Sequence, residues 1–226
     1  MTRSVIVTGG FGALGTAVAE AFSRAGDKVA RIDFATAPRA PLPGALDLGG
    51  VDLTDAAATA AALDKVAAAH GGIDVLANIA GGFVWETLEG GSIDSWARMQ
   101  AMNLTSAVTI TRLALKALIA SGEGRIVNIG AGAALKASAG MGAYTASKAG
   151  VHRFTEALAE ELTGKGVTVN AVLPSIIDTP TNRADMPDAD FSGWVTPAAV
   201  ADVILFLASS GARAITGALI PLTRGG

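Results

Sequence analysis

The turn Thr8-Gly9-Gly10-Phe11-Gly12-Ala13-Leu14-Gly15 constrains this chain more than any other segment. It follows a short apolar run, Ser4–Thr8, and passes at once into an Ala/Leu-rich helical pattern, Ala13–Ala25. Glycines at such a junction let the chain turn tightly and let backbone N–H groups come close to a bound group. The helix start adds unpaired N–H groups and a partial positive charge, which suits a pyrophosphate. A second β-branched run, Lys28–Asp33, then ends in an acid, close to the spacing of about 20 residues at which a carboxylate grips the adenosine ribose. A dinucleotide cofactor is therefore expected, and NAD is favoured because Asp33 repels a 2′-phosphate. Arg31 and Arg39 lie close enough in sequence to leave NADP open.

The rest of the chain repeats the same alternation. Strands are expected at Ser4–Thr8, Lys28–Asp33, Leu46–Asp52, Asp74–Ala80, Arg125–Ile129, Val167–Leu173 and Ala218–Leu222. Most are continuous apolar runs, as parallel strands buried on both faces require. Helical patterns lie between them at Ala13–Ala25, Asp55–Ala69, Ile93–Ser121, Tyr144–Thr163 and Pro197–Ser209. Thr54 before Asp55 and Thr196-Pro197 mark helix starts, and Val151, Phe154, Leu158 and Leu162 form one buried stripe. No linker or repeat divides the chain. The expected class is α/β: one Rossmann-type domain over residues 1–226, a doubly wound parallel sheet of about seven strands with helices on both faces. Ligands of such sheets bind at the carboxyl ends of the strands. The irregular segment 175–195, rich in Asp and Pro, is expected to form a substrate-side lid.

Composition removes other classes. Half the residues are hydrophobic and 16% charged, so a sizeable core forms and disorder is excluded. A net charge of −3 argues against nucleic acid and anionic membranes as partners. With no cysteine there is no disulfide or thiolate, and with only His70 and His152 no metal site is expected. No apolar run approaches a bilayer span, the N-terminal stretch is too brief for a signal peptide, and the expected location is cytoplasmic.

Several strings, in order, resemble the motifs of short-chain dehydrogenases/reductases. They are T-G-G-F-G-A-L-G with Ala13 in place of a common glycine, Val51-Asp52-Leu53, Asn78-Ile79-Ala80-Gly81, Tyr144-Thr145-Ala146-Ser147-Lys148, Asn170 to Pro174 with Ile177-Asp178-Thr179, Ile215-Thr216-Gly217 and Gly225-Gly226. The resemblance implies an NAD(P)-dependent oxidoreductase acting on a small molecule, assembled as a homodimer or homotetramer through its long helices. It implies cofactor contacts from Gly9, Phe11, Gly12, Ala13, Leu14, Gly15, Asp33, Asp52, Leu53, Asn78, Ala80, Gly81, Tyr144, Lys148, Pro174 and Ile177.

Tyr144 and Lys148 are four residues apart, on one helix face. A phenol with a pKa near 10 is a poor acid–base group, and a neighbouring ammonium is expected to lower it by roughly 1–3 units. By resemblance Lys148 also holds the nicotinamide ribose, and Asn103 helps hold a water in a proton relay towards it. The family serine, about thirteen residues before the tyrosine, is here Ala131, so the usual donor to a substrate carbonyl is missing; Ser138 is too far along the loop to replace it simply. Either the site is degenerate or its substrate does not need that donor. The chain is similar in these departures to the dihydropteridine reductase branch, which reduces quinonoid dihydropterins with NADH. There Phe83 or Trp85 would supply an aromatic beside the pterin, with Trp194 a further flat surface. A general carbonyl reductase or alcohol dehydrogenase, and a catalytically idle NAD-binding protein, are the alternatives.

Overall fold

Side chains alternate across a strand, so a strand that is apolar throughout must be covered on both sides. In β1 (Ser4–Thr8), Val5 and Val7 join one buried cluster and Ile6 the other. Val75 and Ala77 against Leu76 in β4 (Val75–Asn78), and Val127 and Ile129 against Ile126 in β5 (Arg125–Ile129), do the same. The computed structural model describes residues 2–223. Among them, β1, β4 and β5 join β2 (Lys28–Ile32), β3 (Leu46–Leu48), β6 (Thr168–Pro174) and β7 (Leu219–Leu222) in one parallel sheet of order β3-β2-β1-β4-β5-β6-β7.

One face is covered by α1 (Ala13–Arg24) and α7 (Pro197–Leu207), through Val18, Phe22, Val200 and Ile204. The other is covered by α2 (Ala56–His70), α4 (Ser106–Ala120) and α5 (Gly142–Glu161), through Leu63, Val66, Ile110, Leu118 and Leu158. Val5 of β1 pairs with Val29 on one side and Val75 on the other. The strand order therefore reverses at β1/β4, and the crevice of the fold opens at the carboxyl ends of those two strands. Thr8 fixes that point: its hydroxyl accepts from the backbone N–H groups of Ile79 and Ala80, at 2.9 and 3.1 Å.

The long helix expected over 93–121 is instead α3 (Ile93–Gln100) and α4 joined by a π-helical turn, Ala101–Thr105. One extra residue in that turn rotates the helix face and turns Asn103 inward, where it is 1% exposed. The segment 175–195 is more ordered than its composition suggests. It holds α6 (Pro180–Asp185), capped by Thr179, and a 3-10 turn at Phe191–Gly193 capped by Asp190. The start of α2 also differs in detail: Asp55, not Thr54, is the cap, accepting from Ala57 and Ala58 N–H. Thr196 caps α7 through Ala199 N–H, with Pro197 in the first turn, as expected. The Gly225-Gly226 string lies outside the described residues.

Candidate active site

At the end of β1 the chain turns through Gly9 at φ 61°, and a Cβ there would lie 2.9 Å from Ala80 Cα. A Cβ on Gly15 would run into the Gly9 carbonyl, so α1 packs directly on the turn because both positions are glycine. The caps of α2, α3, α6 and α7 each offer a side-chain oxygen to their helix. The cap of α1, Gly12, offers none, and no acid stands in the first turn. The Gly12 N–H closes the turn on the Gly9 carbonyl at 3.2 Å, and Ala13, Leu14 and Gly15 present a helix start whose N–H groups and positive end face an external anion. Beside it, Asp33 accepts from Phe11 N–H at 2.9 Å and from Ala35 N–H at 2.9 Å, and it is half-buried. This cradle, with a fixed carboxylate at its edge, fits the pyrophosphate and ribose of a dinucleotide.

The other positions that the resemblance assigns to the cofactor have different surroundings. Asp52 is exposed and accepts twice from Thr54, which holds its carboxyl below the usual range. Leu53 is 6% exposed and packs with Leu63 and Val66 in the core. Asn78 donates to Thr111 Oγ1 at 3.0 Å and Asn128 Oδ1 at 2.9 Å, and Asn128 in turn donates to Thr155. This buried polar row braces β4 on β5, and Ala80 and Gly81 continue from it at the crevice. Pro174 ends β6, and Ile177 beyond it bridges to Val195 and accepts from Asn182 Nδ2 at 2.7 Å.

Tyr144 and Lys148, expected as the acid–base pair, stand near the start of α5. Lys148 is 4% exposed and donates from Nζ to the Ile129 carbonyl at 2.8 Å, next to Gly81. Burial pushes its pKa down to about 8. Burial pushes the Tyr144 phenol up to about 12, contrary to the expected lowering. The physical reason is that desolvation dominates: the lysine is itself deprived of water and spends its hydrogen bond on Ile129. Asn103 donates to Ser147 Oγ at 3.0 Å and to Gly82 carbonyl at 3.1 Å, and accepts from Gly82 N–H at 2.9 Å. Its side chain therefore clips the 80–83 turn to the helix that carries Tyr144 and Lys148.

Ala131 is 3% exposed, with extended backbone, and its N–H donates to His152 Nε2 at 3.3 Å. Burial and the Arg153 and Lys148 charges hold His152 below the usual histidine range, so it stands as a neutral acceptor. At this position the site offers a methyl group and no hydroxyl. Phe83 packs edge-on against the Tyr144 ring, with centroids 4.9 Å apart, and is 52% exposed. The Trp85 indole lies against Gly140, where a Cβ would strike it.

Two expectations need correction. Trp194 is 6% exposed and tilted on Phe191 at 4.6 Å, while Arg183, paired with Asp178, stacks on Phe191 from 4.6 Å. It props the 175–195 segment from inside and offers no flat face to a ligand. Arg31 is fully buried and paired with Asp47, so it is not free to meet a 2′-phosphate; Arg39 is exposed. Sequence reasoning missed Thr8, Ser147 and Asp47 as site-building residues. The string T-G-G contained a signal for Thr8, whereas Asp47 acts across strands and leaves no local pattern.

The model of the short chain dehydrogenase family matches residues 3–190. The 2,5-dichloro-2,5-cyclohexadiene-1,4-diol dehydrogenase LinX of Sphingobium indicum is 32% identical over 238 residues, covering 99% of this chain and 95% of that protein. D-threitol dehydrogenase of Mycolicibacterium smegmatis is 33% identical over 234 residues, covering 96% and 89%. Among solved structures, ligand-free aldohexose dehydrogenase (AldT) of Thermoplasma acidophilum superposes with a TM-score of 0.89 at 28% identity, covering 98% of this chain and 92% of that one.

Proposed function

The chain belongs to the short-chain dehydrogenase family, whose members are NAD(P)-dependent oxidoreductases, and from that premise we propose that it is an NADH-dependent reductase of quinonoid dihydropterins. The observation that carries this reading is Ala131. An ordinary ketone develops alkoxide charge as hydride arrives, and a donor aimed at that oxygen is worth about 2.7–4 kcal/mol where it has been removed from a hydrolase. The backbone N–H of Ala131 is committed to His152 and its side chain is a methyl. A quinonoid pterin gains a conjugated ring on reduction, so it depends less on such a donor. Phe83 on Tyr144 supports the reading with an exposed aromatic surface beside the proton source.

When bound, the cofactor supplies a hydride. Gly9, Phe11, the start of α1 and Asp33 would hold its pyrophosphate and adenosine, with NADH favoured over NADPH by the Asp33 carboxylate. Tyr144, kept protonated by burial, gives the proton to a ring nitrogen or oxygen of the substrate, and Lys148 stands behind it as proton reserve.

The names of the relatives favour a second reading, a dehydrogenase of a hydroxylated small molecule. Ala131→Ser separates the two. The pterin reading expects the serine to raise kcat/KM for ketones by about tenfold or more while leaving pterin reduction nearly unchanged. A variant with no gain on ketones, from a parent already active on them, would support the second.

A further inference from the structure

A cation set in the middle of a buried strand needs a partner, and the partner here has a consequence for cofactor choice. Arg31 lies on β2 with no exposed surface, and Asp47 on the neighbouring strand β3 receives it bidentately, Nε to Oδ1 and Nη2 to Oδ2, both at 2.7 Å. The guanidinium sits 5.3 Å from the centroid of the Phe11 ring and also reaches the Ala40 carbonyl at 3.4 Å. Its surroundings are the glycine turn and the segment after β2. Those same two segments hold Asp33, through Phe11 N–H and Ala35 N–H. Arg31 and the carboxylate that would meet the adenosine ribose thus share their walls, and a Cβ on Gly10 would lie 2.6 Å from Arg31 Cβ.

Resting on the NADH reading above, we infer that Asp47 is a second specificity-determining residue: it neutralises Arg31 and holds it beneath Phe11, away from the 2′ position of the ribose. Asp33 repels a 2′-phosphate directly, and Asp47 keeps the adjacent guanidinium from answering it. The Asp47 side chain is 30% exposed at its strand, so its carboxylate can be removed without opening the core. With the carboxylate gone, Arg31 keeps its charge but loses its anchor. Phe11 and the 34–45 segment then become the nearest places for it to turn.

NADH and NADPH share every group except the 2′-phosphate, so the ratio of their dissociation constants isolates what happens there. The test titrates both cofactors, by their own fluorescence, into wild type, Asp47→Asn, Asp47→Glu and Asp47→Asn/Arg31→Gln, with melting curves to establish folding. Asp47→Asn is expected to narrow the NADPH-to-NADH ratio by about fivefold at low salt, less at high salt. Asp47→Glu, which can keep the pair, should retain the wild-type ratio, and the double variant should return towards it. Asp47→Ser serves the same comparison if the asparagine variant does not fold. An unmoved ratio in the folded variant, or equal narrowing without Arg31, overturns the role of Asp47 while leaving the NADH reading intact. A wild-type protein that binds NADPH more tightly overturns both.

Discussion

Two side chains with displaced acidities, the half-buried Tyr144 and the buried Lys148, carry the proposed chemistry at the scale of residues. Tyr144→Phe removes only the proton source, so turnover is expected to fall roughly 10²–10⁴-fold while the NADH dissociation constant changes little. Lys148→Ala should damage both quantities, which stopped-flow turnover and fluorescence titration would separate. Because burial sets Lys148 near pH 8, the proton reserve empties as pH rises through that value. In the direction of reduction, kcat/KM should therefore decline above about pH 8, and Lys148→Arg should move the decline upward. A profile flat to pH 10 would remove Lys148 as the proton reserve, since the Tyr144 phenol stays protonated through that range. These residues were legible in sequence as a spaced pair; their acidities were not, because a spacing of four says nothing about water. The same limit explains Trp194, whose apolar surface was read as a ligand face and is used to hold Phe191.

Elements show the boundary between local and distant information. Helices α1, α5 and α7 and strands β1, β5 and β6 followed from periodicity, apolar runs and caps, to within a residue or two. The π-helical turn did not, since its cause is tertiary: Asn103 turns inward to bind Gly82 and Ser147, and the helix accommodates it. Asn103→Ala would leave Gly82 N–H without its side-chain partner beside a cavity the size of the amide. Lost buried hydrogen bonds of this kind cost about 1–3 kcal/mol. The variant should lose about that much stability, seen as an earlier melt, and show a raised KM for substrate, because the 80–83 turn carries Phe83. Asn103→Asp, which keeps the acceptor for Gly82 N–H and loses the donor, should recover part of the loss. Unchanged melting and KM in Asn103→Ala would remove the clip from the account.

Across the whole molecule, the reversal of strand order at β1/β4 brings distant segments to one crevice: the glycine turn, Asp33, the 78–83 turn, Ala131 and the start of α5. Alternating strands and helices made that architecture readable, whereas the cross-strand pair Arg31–Asp47 and the Asn78–Asn128 brace join residues distant in the chain and leave no local pattern. Placing a lysine at the centre has a cost in stability. Its folded pKa of about 8 lies below the unfolded 10.5, so the folded protein binds fewer protons between those values and stability rises with pH across that window. Below about pH 8 the full penalty applies, on the order of 3 kcal/mol. Lys148→Met should accordingly raise the melting temperature at pH 7 and lose most of that gain by pH 10. A stabilisation independent of pH would place its origin in packing instead.

On the proposed function, a site with a methyl group at Ala131 and an aromatic wall at Phe83 suits a substrate that needs no donor at its carbonyl. Steady-state NADH consumption by the wild-type protein, with quinonoid dihydrobiopterin beside a panel of simple ketones, tests it most directly. The expected result is rapid consumption with the pterin and weak consumption with the ketones. Efficient reduction of the ketones with no response to the pterin would contradict the claim and leave the dehydrogenase reading in its place.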